Sequence, residues 1–95
     1  MNKVEFETIL QEVIGAVEDV LLSKPEFTVF NILIKTRTRA DYKISKWKAF
    51  NNLTVEKVES NHQLLDLALL VVATKYVAAI PYEEIIEIYA EAVKE

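Results

Sequence analysis

The chain has 95 residues (10.9 kDa), 52% of them apolar and 27% charged, with one glycine, two prolines, no cysteine and a formal charge of −4 at pH 7. At below the roughly 100–200 residues of a typical domain, a single domain, 1–95, is expected and a two-domain enzyme is excluded. So apolar a chain with so few breakers is not a disordered one, and without cysteine it forms no disulfide framework, thiolate metal site or thiol nucleophile.

Phe6, Leu10, Val13, Val17 and Val20/Leu21 recur in steps of three and four, which predicts a helix over 4–22. Ser23-Lys24-Pro25-Glu26 then combines an N-cap serine, a first-turn proline and a glutamate three residues past the cap, so a second helix is expected from about residue 24. Its extent is ambiguous. Phe27, Phe30, Leu33/Ile34 and Arg37 suit a helix, yet six of the eleven residues in 28–38 are β-branched. The rival is a hairpin pairing 28–38 with 42–50 around Arg39-Ala40-Asp41, extended by 53–58 after Asn51-Asn52. These turns lack the glycine that tight hairpins favour, so the helix is preferred.

Val55, Val58, His62, Leu65, Leu69, Val72, Tyr76 and Ala79 continue the three-four spacing and predict a long helix, apolar nearly all round from residue 64 and therefore central. Pro81 ends it and opens a last helix with Tyr82, Ile85/Ile86, Tyr89 and Ala92/Val93 inward. The expected fold is thus mostly α, a small bundle of about four helices with 28–50 either helical or a short β-hairpin, the latter giving an α+β alternative. Glu5, Glu7 and Glu12 interrupt any export signal, and the apolar run 64–80 contains Asp66 and Lys75 and is shorter than the about 20 residues of a bilayer span, so the reading is cytoplasmic with no membrane partner.

Charge is the sharpest functional signal. Residues 35–48 carry a net +5, whereas 1–34 carry −4 and 49–95 carry −5. Lys35, Arg37, Arg39, Lys43, Lys46 and Lys48, with Trp47 among them and Tyr42 and Phe50 nearby, are the candidate binding residues, because lysines hold phosphates or carboxylates while aromatic rings stack on bases. Competing with this are a solvated face and pairing with Glu83, Glu87 and Glu91 of the same chain. A helix-turn-helix use of 82–94 is rejected, since four glutamates against one lysine would be repelled by a phosphate-lined groove.

Enzymatic constellations are scarce. His62 is the single histidine and Gly15 the single glycine, so neither a nucleophile turn nor a phosphate-cradling loop can be assembled. Glu59-Ser60-Asn61-His62, with Asp66 one helical turn on, has a metal-ligand spacing, but in one copy only, and ordinary surface residues are the preferred reading. Gly15 beside Ala16 either admits a close helix or is simply tolerated, and Trp47 is read as an anchor of the core edge in preference to an exposed binding ring. The apolar content exceeds what a small domain normally hides, which predicts a homo-oligomer, most simply a two-fold dimer. The expectation is therefore a small non-enzymatic protein-interaction or regulatory protein acting as a homo-oligomer, with no cofactor and no metal. Its expected protein partner has an acidic surface, and nucleic-acid binding through 35–48 is the alternative.

Overall fold

The computed structural model describes residues 1–38, 41–51 and 53–94. Among the described residues one helix, α1 (Lys3–Ser23), precedes seven strands: β1 (Val29–Thr36), β2 (Tyr42–Phe50), β3 (Thr54–Ser60), β4 (His62–Leu64), β5 (Ala68–Val72), β6 (Val77–Pro81) and, after a 3-10 turn at Tyr82–Glu84, β7 (Ile85–Ala92). All pairings are antiparallel, and they form a four-stranded sheet in the order β3-β2-β1-β7 and a three-stranded sheet in the order β4-β5-β6. This is an α+β fold, which overturns the expected four-helix bundle.

The helix forms where its spacing placed it. Phe6, Leu10, Val17 and Leu21 are its buried residues. Asn2 caps it, accepting from Glu5 N–H while Glu5 Oε1 accepts from Asn2 N–H, both at 2.9 Å, a reciprocal capping box. Ser23 does not open a second helix. It is the last residue of α1, and its Oγ donates to the Asp19 carbonyl at 2.6 Å. An added Cβ at Gly15 would meet no atom within 4 Å, so that glycine is tolerated and not demanded by a neighbour.

The 28–50 hairpin forms and continues into β3, as the rival reading had it. The β2–β3 turn replaces the missing glycine with Asn51 at φ 57°, the left-handed region that asparagine tolerates better than most residues. The helix expected over 55–79 is instead four strands. Its all-round apolar stretch is a hairpin, whose Leu69, Val71 and Ile80 enter the core while Val72 and Val77 face out. The last helix is likewise β7, with Ile85 and Ile88 buried.

Three β-bulges explain why strands carry helical spacing. The register shifts at Ile32/Leu33, Lys46/Trp47 and Lys35/Thr36 put Ile44, Val58 and Ile86 in as extra residues on β2, β3 and β7. Each insertion changes an inward step of two into a step of three, as from Ile85 to Ile88.

One core serves both sheets. Phe6, Leu10, Val17 and Leu21 of α1 cluster with Ile32, Ile34 and Ile44, with Leu69, Val71 and Ile80, and with Tyr82, Ile85 and Ile88. At the corner between β3 and β4, Asn61 N–H donates to the Ile44 carbonyl at 2.8 Å and its own carbonyl accepts from Val72 N–H at 2.8 Å, stitching the sheets together. Tyr82 packs against Phe6 with ring centroids 5.6 Å apart and donates its hydroxyl to the Leu65 carbonyl at 2.7 Å. Among the described residues no helix is long and apolar enough to cross a membrane.

Candidate interaction surfaces

Cross-strand partners share a face of a sheet, so register decides where the basic segment points. On the four-stranded sheet Lys46 stands between Glu59 and Asn31, with Glu91 beyond Asn31; Lys48 faces Glu56, Lys43 faces Leu33 with Tyr89 beyond, and Lys35 faces Glu87. The face turned away from the helix thus carries Lys35, Lys43, Lys46 and Lys48 among Glu56, Glu59, Glu87 and Glu91. Glu59 sits 3.5 Å from Lys43 Nζ and 3.7 Å from Lys46 Nζ. The glutamates at 87 and 91 are the chain's own acids that sequence reasoning offered as partners, placed there by β7 and not by a helix.

The remaining candidates separate. Arg37 lies past the end of β1, where its Nε donates to the Glu83 carbonyl at 3.2 Å and its N–H to the Glu84 carbonyl at 3.0 Å. Arg39 lies outside the described residues. Trp47 faces the opposite way from Lys46 and Lys48, in the row Lys57–Trp47–Phe30. It packs half-buried against the core, and its Nε1 donates to Ser45 Oγ at 3.1 Å. Tyr42 is buried, edge-on to Tyr76 at 5.8 Å, and Phe50 stays beside a lysine of the basic segment, Lys48 Nζ lying 5.8 Å from its ring centre. Lysines and aromatic rings alternate along β2, and a strand sends alternate residues to opposite faces, so the interleaving seen in sequence is not a stacking platform.

The Glu-x-x-His spacing also changes meaning on strands. Glu59 is engaged by two lysines, Asp66 lies at the β4–β5 turn 3.6 Å from Lys3, and His62 sits at the sheet corner with Nδ1 2.9 Å from the Ile44 carbonyl. That contact makes Nδ1 the protonated nitrogen of the neutral ring. Burial holds the His62 pKa below its ordinary 6.5, reinforced by Lys57 and opposed by the Ile44 bond. On the charged face the Tyr89 hydroxyl donates to the Asp41 carboxylate, which pushes its pKa up to about 12.

A second surface, which composition hinted at without locating, is the outward face of the β5–β6 hairpin. Ala68, Leu70 and Val72 alternate there with Val77, Ala79 and Pro81 across the strand pair. Val72 is 49% and Val77 66% exposed, and no charged side chain stands among the six. Beside β6 runs a groove of about 290 Å³ lined by Thr36, Thr38, Tyr42 and Glu84 together with the strand itself. Thr36 is 6% exposed there, and its Oγ1 meets no hydrogen-bond partner among the described residues. Comparison with protein-family models, with curated proteins and with solved structures found no match.

Proposed function

We propose that this is a non-enzymatic interaction protein that works as a homo-oligomer, using the β5–β6 hairpin as its contact surface. The observation that carries the reading is the uncharged outward face of 68–72 and 77–81 on a strand pair that ends its sheet. Monomeric proteins seldom keep a contiguous apolar patch in water, and an end strand leaves its backbone donors and acceptors open to another chain.

The basic segment is the weaker contact. Four lysines there share a face with four glutamates, so the local +5 of the sequence is largely cancelled in space, both for nucleic acid and for an acidic protein. Light scattering over a range of concentrations tests the reading: a mass above that of one chain at high micromolar concentration is expected, and a monomer throughout overturns it. Retention on heparin at low salt would favour the nucleic-acid alternative.

A further inference from the structure

We propose that the oligomer is a two-fold dimer in which β6 pairs antiparallel with β6 of a second copy, centred on Ala79. This inference rests on the oligomer reading above and specifies its interface.

The phase of the hydrogen-bond ladder supplies the first argument. Ala73 N–H donates to the Tyr76 carbonyl at 2.9 Å, closing the β5–β6 turn around Thr74 and Lys75. Bonded pairs alternate along an antiparallel ladder, so Ala78 and Ile80 exchange bonds with Val71 and Leu69. The N–H and C=O groups of Val77 and Ala79, and the carbonyl of Pro81, then point away from β5 into the open edge. The β4–β5 ladder agrees: Leu65 N–H donates to the Ala68 carbonyl and Val72 N–H to that of Asn61, which turns Leu69 and Val71 toward β6. Pro81 fits the same phase, because it has no N–H to give and stands where β5 asks for none.

Self-complementarity supplies the second. In the Ala79-centred register, Ala79 N–H donates to the Ala79 carbonyl of the second copy and receives the same bond in return. Val77 N–H reaches the Pro81 carbonyl of the second copy, again in both directions. The strand core, Val77–Pro81, is uncharged, and the first charges beyond it on either side are Lys75 and Glu83. Lys75 lies in the β5–β6 turn and Glu83 in the 3-10 turn that follows β6, so the pairing brings the lysine-bearing turn of each copy toward the glutamate-bearing turn of the other, twice. Both residues are exposed, and among the described residues no strand pairs with the outer edge of β6, which borders the groove lined by Thr36 and Tyr42. Pairing also closes the edge that would otherwise template open-ended aggregation.

The test is a charge swap read by sedimentation equilibrium. Lys75→Glu and Glu83→Lys each put like charges together twice, and each is expected to raise the dimer dissociation constant about tenfold or more. The double variant, Lys75→Glu with Glu83→Lys, should restore it to near the parent value. Ala79→Pro removes the central edge donor and should leave a folded monomer, its folding checked by circular dichroism; if that variant misfolds, the swap decides alone. An oligomer indifferent to both single charge changes overturns the β6 interface while leaving the oligomer reading in place. A monomer at every concentration overturns both, and would leave the β6 edge open for an extended strand of a different protein.

Discussion

On the four-stranded sheet the face away from the helix carries lysines and glutamates in cross-strand register, whereas the outward face of β5 and β6 carries only alanine, leucine, valine and proline. Both sheets give their other face to the same core, so the difference lies wholly in what each shows to water. The first has charges that neighbours balance, and water and cross-strand pairing satisfy it within one chain. The second has nothing water can reward. On the proposed reading, contact with another chain follows missing charge more closely than surplus charge, the reverse of what a scan along the sequence suggests.

The small sheet belongs to the common core and is not an appendage, which substitution can check. Leu69 is fully buried in β5, whereas Leu67, in the turn before it, is 85% exposed. Leu69→Ala should cost about 2–5 kcal/mol, comparable to Ile32→Ala in the large sheet, while Leu67→Ala should stay within about 0.5 kcal/mol. Urea unfolding measures all three. A small cost at Leu69 would mean that the hairpin folds separately and that its outward face says little about the whole.

How much of this was legible in the sequence follows from the same alternation. Helix α1 is unbroken, so its apolar spacing reads directly. The strands are bulged at Ile44, Val58 and Ile86, and each bulge converts a period of two into a locally helical one. Leu69 to Val72 is apolar on both faces, a pattern that cannot distinguish a buried helix from a strand whose outer face is bare. The basic segment was visible as charge, and neutralisation by Glu87 and Glu91 was among its readings, but the part of Glu56 and Glu59 was not, because they meet Lys48 and Lys46 only through β2–β3 pairing. The capping box Asn2-Lys3-Val4-Glu5 was a readable signal that sequence reasoning passed over.

The seam between the sheets offers a sharper test, through His62. Its folded pKa lies below the 6.5 of the free side chain, so the unfolded chain takes up the proton first on acidification. Stability is therefore full above about pH 6.5, falls as the pH drops through that value, and stops changing on this account below the folded pKa. His62→Gln removes the titrating ring, so its stability should fall less than the parent's between about pH 7 and 5. Chemical denaturation at several pH values reads the difference. Equal slopes would mean that the ring is well solvated and the corner looser than its hydrogen bond to Ile44 implies.

The smallest effect concerns the charged face itself. Glu59 lies within 4 Å of both Lys43 and Lys46, yet its side chain is 44% exposed, and exposed ion pairs contribute only about 0–1 kcal/mol each. Glu59→Gln should accordingly lower stability by no more than about 1 kcal/mol, and by less still in high salt. Its larger consequence is electrostatic, since it leaves Lys35, Lys43, Lys46 and Lys48 facing three glutamates instead of four. Heparin retention at low salt should then rise slightly in the variant while the dimer dissociation constant changes far less than in the Lys75 and Glu83 variants, because Glu59 borders the β5–β6 turn without lying on the β6 edge. A change in dimerisation without a change in heparin retention would place the self-contact on the large sheet and reverse the assignment of the two faces.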